Sequence, residues 1–297
     1  MKTAILTDTN SGITVEEGKK LGIYVLPMPF IIEGKCYVEG LDITKEALYD
    51  ALLNDQEVSS SQPSPGDVLT LWDTVLGSGY DEIVYIPMSS GLSGSCHNAA
   101  WLARDYDSKV WVVDNHRISA TLMEAVFDAK YLADQGIDGH DIKEHLEASA
   151  YQATIYISVN SLKYLKKSGR ITASAAAIAN ILNIKPVLSI QGEKLDLFAK
   201  ARGIRQSERK MVEALKADIA NRFSQIPPNQ LQIATAGTFR QPEDAEHWRQ
   251  SVQSCFPQSK VYYTPLSCSI ACHVGVDAVA LGAVVVEDRH AENRKLT

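Results

Sequence analysis

The sequence has no hydrophobic run long enough to cross a bilayer. The longest, such as Ala278 to Val286, falls far short of the ~20 apolar residues that a membrane helix needs. No n-region or long apolar h-region precedes the first strand pattern, Thr3-Ala4-Ile5-Leu6-Thr7-Asp8, so no secretory signal is expected. Cysteine is sparse. Five of them, an odd count, in 297 residues suit reduced thiols and a cytoplasmic protein. Positive charge is also in deficit, and the net charge of −7 argues against a general nucleic-acid role. Neither a Walker A motif nor a G-x-G-x-x-G fingerprint is present, so a nucleotide is not indicated. There are no internal repeats and no low-complexity segments. What remains is an ordinary globular composition, 45% hydrophobic and 22% charged. The length suggests about two domains at ~150 residues each.

Residues 1–155 alternate strand and helix patterns. Ala4 to Leu6 predicts a strand ending at Asp8, Val15 to Leu21 a helix, and Ile23 to Pro27 a second strand. Phe30 to Val38 predicts a hairpin turning at Gly34, and Thr44 starts another helix. Ser64, Pro65 and Asp67 have the order of an N-cap and first turn, which puts Ser60 and Ser61 in an exposed loop just ahead. Lys109 to Val113 is an apolar strand ending at Asp114. Asp8 and Asp114 thus stand at strand C-terminal ends, where parallel α/β sheets place their sites. A cap or loop anchor is the simpler role for each.

The second half opens with a strand at Thr154 to Val159. The helix from Ser161 to Lys167 stops at Gly169. Ala173 to Ala179 predicts a helix of very small side chains, which permits close packing or leaves room for a thin apolar ligand. A strand at Asn183 to Ile190 returns through Gln191 to Lys194 into Leu195 to Phe198. A long helix runs from about Ser207 to Phe223, and strands at Leu231 to Thr235 and Lys260 to Tyr263 flank a helix at Asp244 to Cys255. The polar residues 291–297 are expected to fray.

The stretch Met88-Ser89-Ser90-Gly91-Leu92-Ser93-Gly94-Ser95 stands between a predicted strand and a predicted helix. Glycines allow close backbone approach, a helix N-terminus favours an anion, and serine hydroxyls add rotatable donors. Such a loop suits a carboxylate or phosphate, or nothing at all if Ser93 is a plain N-cap. Three chemistries compete. Ser93, Asp114 and His273 follow the chain order of α/β-hydrolases acting on acyl esters, but Ser95 stands where G-x-S-x-G needs its second glycine. Cys268, Cys272 and His273, with or without Cys255, are zinc-type ligands at a non-standard spacing, so buried free thiols are preferred and no metal is expected. The third is a carboxylate site built from Ser60–Ser61, Ser93–Ser95 and His273.

The collinear motifs decide among these. Ala4-Ile5-Leu6-Thr7-Asp8, Ser60-Ser61-Gln62-Pro63-Ser64, Ser89-Ser90-Gly91-Leu92-Ser93-Gly94-Ser95 and Val112-Val113-Asp114 come first. Leu162 to Ile171, Asn183-Ile184-Lys185-Pro186-Val187-Leu188 and His273-Val274-Gly275 follow. Together they resemble the DegV family of bacterial fatty-acid-binding proteins over nearly the whole chain.

The resemblance implies two α/β domains, 1–155 and 156–297, the first with a mostly parallel Rossmann-like sheet. It implies a ligand tunnel between them holding a long-chain fatty acid of the palmitate or oleate type. By resemblance Ser61, Ser93 and His273 hold the carboxylate, with Ser60 and Ser95 beside them. The acid is then presented to a separate fatty acid kinase, which makes an acyl phosphate for phospholipid synthesis. Such a carrier is non-catalytic, needs no cofactor and touches a membrane surface only transiently. Arg170 and Arg202, from a scattered basic set that includes Lys185 and Arg205, are candidates for a phosphate-handling partner or anionic lipid, against a default of solvated surface charge. The chain departs from the family pattern at Ser60, at Ser168 and at Val276-Asp277, and Asp277 is expected close to the head-group loop. A lipid is energetically sensible: about fifteen buried methylenes at ~0.8 kcal/mol each give roughly 12 kcal/mol. That offsets an association cost of ~4–15 kcal/mol.

Overall fold

The computed structural model describes residues 1–178 and 184–289. Ala179 and Asn183, expected in a helix and a strand, and residues 291–297 lie outside the described residues. In the first half the chain forms β1 (Thr3–Asp8), α1 (Val15–Leu21), β2 (Ile23–Leu26), β3 (Pro29–Ile32), β4 (Lys35–Val38) and α2 (Lys45–Leu53). Then come β5 (Val58–Ser60), α3 (Pro65–Gly77), β6 (Glu82–Ile86), α4 (Ser95–Leu102), β7 (Val110–Val112), α5 (Ala120–Asp134) and α6 (Gly139–Ala148). The second half holds β8 (Ala153–Ser158), α7 (Lys163–Ser168), α8 (Ala173–Ala176), β9 (Lys185–Ile190), β10 (Asp196–Ala201) and α9 (Ile204–Asn221). It ends with β11 (Leu231–Gly237), α10 (Pro242–Cys255), β12 (Val261–Pro265), α11 (Cys268–Val274) and β13 (Val279–Val285).

Local chemistry explains the boundaries. Thr14 and Glu17 form a reciprocal capping box on α1, and Gly22 ends that helix in the left-handed region. Ser64 caps α3 ahead of Pro65, as expected. Glu33 and Gly34 both have positive φ, which gives the two-residue turn that matches strand twist. Asp8 is a buried anchor: its carboxylate accepts from the Asn10 and Met88 amides at 2.8 and 3.0 Å. Asp114 accepts from the Ser90 amide at 3.2 Å.

The first sheet is parallel, in the order β2-β1-β6-β7. The second has six strands, β10-β9-β8-β13-β11-β12, and only its β11–β12 pair is parallel. A third, small antiparallel sheet, β4-β3-β5, packs against α2 and α11. One apolar run is assigned and one sequence expectation changes here. The apolar run near the C-terminus is a central strand, β13, paired on both sides by β8 and β11. Ser60 is not in a loop but ends β5, opposite Phe30.

The two halves share one apolar cluster. It runs from Ile5, Val84 and Leu122 on one side to Ile157, Leu188, Ile270 and Ala280 on the other. Helix α5 packs against strands of both large sheets. Strand β8 starts at Ala153, so the expected division at 155/156 falls inside a strand of the second sheet.

Candidate ligand site

A cavity of about 310 Å³ lies where the halves meet, lined from both. Its walls are mostly apolar, with Met28, Met88, Leu92, Ile118, Leu195 and Ile270 among them. The polar side chains at one end are Ser60, Ser61, Gln62, Ser93, His273 and Arg170. Gln62 and Gly94 there are exposed, so this end opens to solvent. An apolar body with a few convergent polar groups is the usual form of a small-molecule site.

Each polar group is held by its own element. The strand β5 ends with Ser60, and its Oγ lies 2.6 Å from His273 Nε2. Ser61 donates its amide to the Pro29 carbonyl at 3.0 Å, which extends the small sheet to the mouth. Ser93 Oγ accepts from the Ser95 amide at 3.2 Å, in the turn just ahead of α4, while lining the cavity. His273 sits in the last turn of α11 rather than on a loop. That helix starts at its cap Ser267, whose hydroxyl donates to Asn10 Oδ1 at 2.9 Å. Burial pushes the His273 imidazole down to about 4, and the nearby Arg170 cation pushes the same way. The ring is therefore neutral near pH 7, and among the described residues its buried Nδ1 has no hydrogen-bond partner. Arg170 follows α7, donates from Nε to the Leu92 carbonyl at 3.2 Å, and places a cation on the cavity wall.

The central loop is clasped by the second half. Ser89 Oγ donates to the Gly192 carbonyl. A Cβ on Gly91 would lie 2.6 Å from both Gly192 O and Glu193 Oε2. Close backbone approach is indeed what this glycine permits, but to the β9–β10 turn rather than to a ligand.

Not every expected residue reaches the site. Ser95 Oγ is buried without a partner and is not on the cavity wall. Arg202 is exposed and also off the wall. Asp277 turns away: it accepts from Arg240 Nε and Nη2 at 3.2 and 3.0 Å and does not line the cavity, contrary to its expected place near the head group. A hydrolase triad is not assembled. Asp114 anchors the central loop, His273 Nε2 meets Ser60, and among the described residues no carboxylate orients His273 Nδ1. The zinc-type set is not assembled either. Cys268 and Cys272 are buried on α11, where burial pushes the Cys272 thiol up to about 12, and Cys255 is on α10.

Sequence reasoning missed Ser269, which also lines the cavity. Its spacing of four from His273 on one helix was the available signal. Ser119 and Thr121, at the start of α5, line the cavity too and carry no local pattern.

The fold and cavity define an α/β protein with an apolar internal ligand site headed by hydroxyls, an imidazole and a guanidinium. The model of the DegV family, described as uncharacterised proteins, matches residues 2–286, and the chain belongs to that family. A DegV domain-containing protein of Staphylococcus aureus is 31% identical over 219 residues, 74% of this chain and 77% of that protein. The crystal structure of a fatty acid binding DegV family protein from Streptococcus agalactiae is similar at 27% identity and TM-score 0.84, covering 97% of this chain and 100% of that one. A fatty-acid-binding DegV family protein from Thermus thermophilus shares the fold at 23% identity and TM-score 0.85, over 96% and 100% of the two chains.

Proposed function

We propose that the chain binds one long-chain fatty acid, with the carboxylate at Ser60, Ser61, Ser93 and His273 and the tail along the apolar cavity. The observation that carries this reading is the cavity itself. One end gathers hydroxyls, a neutral imidazole and Arg170, and the remainder is mostly apolar. A buried carboxylate is costly unless hydrogen-bonded, and these donors meet that need. Family membership and the fatty-acid-binding relative from Streptococcus agalactiae support it.

The acid is presented to a partner fatty acid kinase in the cytoplasm, for acyl-phosphate formation in phospholipid synthesis. An open polar end suits that role, since the reacting carboxylate faces outward while the tail stays buried. The protein is a carrier without catalysis of its own, consistent with a histidine that no carboxylate orients. Among the described residues no helix is long and apolar enough to cross a membrane. Loading by transient contact with a membrane surface is part of the same proposal.

Mass spectrometry of an organic extract of the purified protein tests the ligand. A defined set of acyl chains in about one-to-one ratio is expected. Lipid-free protein that also fails to bind added fatty acid refutes the reading.

A further inference from the structure

Asn10 lies in the short 3-10 turn that follows β1, fully buried and off the cavity wall. Its amide donates to Asp8 Oδ1 at 2.8 Å, and the other oxygen of Asp8 accepts from the Met88 amide at 3.0 Å. Its carbonyl accepts from the Ser119 amide at 2.8 Å, at the start of α5. The side chain spans two more elements. Nδ2 donates to Met88 Sδ at 2.9 Å, and Oδ1 accepts from Ser267 Oγ at 2.9 Å.

These partners fix the amide in one orientation. A thioether sulfur can only accept, so Nδ2 faces Met88 and Oδ1 faces Ser267. Ser267 then gives its proton to Asn10 and accepts from the Ile270 amide at 3.2 Å, as the cap of α11.

Each partner leads to the cavity. Met88 lines it and begins the segment that carries Ser93, whose amide donates to the Ser89 carbonyl at 3.1 Å. Ser267 begins α11, whose Ser269, Ile270 and His273 line it. A helix of seven residues is a stiff rod of ~10 Å, so the seat of its cap decides the seat of His273. Glu39 Oε1 holds the same helix end, accepting from the Cys268 amide at 2.9 Å just past β4. The bond to Asn10 ties that end to the loop of Ser93.

We propose that Asn10 is a positioning residue of the head-group site: it sets the separation of Ser93 and His273, which come from opposite halves of the chain, without touching the ligand. The inference rests on the fatty-acid reading and adds to that site a residue outside its wall. A carboxylate that accepts from Ser93 and His273 together is sensitive to their separation, because hydrogen bonds are lost beyond ~3.2–3.5 Å. A fatty alcohol depends on it less, since its bonds to the same groups lack charge assistance.

The intact protein, stripped of lipid, is titrated with a fatty acid and the alcohol of matched length. In Asn10→Ala the acid should weaken about tenfold or more relative to the alcohol, whereas a merely structural loss weakens both alike. Ser267→Gly breaks the same bond from its other end, since glycine is a tolerated N-cap that cannot donate to Asn10. It should shift the ratio likewise, and Ser267→Thr should restore it. Added to His273→Gln, Asn10→Ala should change the ratio little further, because the group it positions is already gone. A ratio unchanged in Ser267→Gly overturns the proposal, whether or not Asn10→Ala folds, and so does an Asn10→Ala effect that persists in full beside His273→Gln. Wild-type protein that binds neither ligand overturns the fatty-acid reading and the positioning with it, so the two failures are distinguishable.

Discussion

Replacing Ser93 by alanine separates ligand binding from folding. Ser93 Oγ makes one weak contact within the protein, accepting from the Ser95 amide at 3.2 Å. Its loss removes one local hydrogen bond just ahead of α4, worth ~0.5–1.5 kcal/mol of stability. No core cavity is created, because Ser93 is only partly buried and lies on the cavity wall. In the proposed complex the same hydroxyl donates to a carboxylate. A hydrogen bond to a charged partner contributes ~1.5–3 kcal/mol. At ~1.4 kcal/mol per decade, affinity for the acid should fall by about tenfold to a hundredfold. Displacement of a fluorescent fatty acid measures that loss, and a thermal melt of the lipid-free protein reports the smaller change in stability. A fatty alcohol of matched length is the control. It keeps the tail and lacks the charge, so its affinity should change much less. If Ser93→Ala binds the acid as tightly as the wild type, Ser93 does not hold the carboxylate, and Arg170 becomes the next candidate.

Three further outcomes are expected. Burial pushes His273 down to about 4, so a bound carboxylate should raise its pKa and binding should take up a proton; affinity should therefore rise as pH falls from about 7 toward about 5, and titrations of His273→Gln should lose that slope. Gly91→Ala forces a Cβ to within 2.6 Å of the Gly192 carbonyl, so melting should show a loss of ~1–3 kcal/mol, and Glu193→Ala should not rescue it because the backbone clash remains. A fluorophosphonate probe should not label Ser93, since His273 Nε2 is engaged by Ser60 and Nδ1 meets no carboxylate; rapid Ser93-dependent labelling would restore the hydrolase reading.

Much of the fold was legible in local pattern. The capped helices, the Glu33-Gly34 hairpin and the parallel first sheet rest on signals within a few residues of one another. Strand β13 was obscured because it is buried throughout and lacks alternation, so its apolar run resembled nothing in particular. The site was legible as a set of motifs but not as geometry. Ser60 and His273 are 213 residues apart, and nothing local says that β5 and α11 meet. Asp277 illustrates the limit most directly. Sequence proximity to His273 suggested a role at the head group, but a left-handed backbone at Asp277 turns the side chain to Arg240. Ser95 fails for a related reason. It is two residues from Ser93, but the first turn of α4 buries its hydroxyl away from the wall.

The head-group loop belongs to the first half by sequence and to both halves by contact. Its serine Ser89 donates to Gly192, its glycine packs on Glu193, and its Leu92 carbonyl accepts from Arg170. In return α11, which carries His273, starts at a serine held by Asn10. These clasps are polar and directional, so they fix register more than they add stability. The apolar cluster that joins the halves also lines the cavity, with Leu92, Ile118, Ile190 and Ile270 common to both. A ligand tail there completes the contacts between the halves. Binding only the folded state, it stabilises that state by mass action, about 2.7 kcal/mol at a hundredfold excess over Kd. On the proposed reading the tail supplies most of the affinity and reinforces the junction, and the clasped loop supplies the donors whose positions decide which end of the ligand faces out.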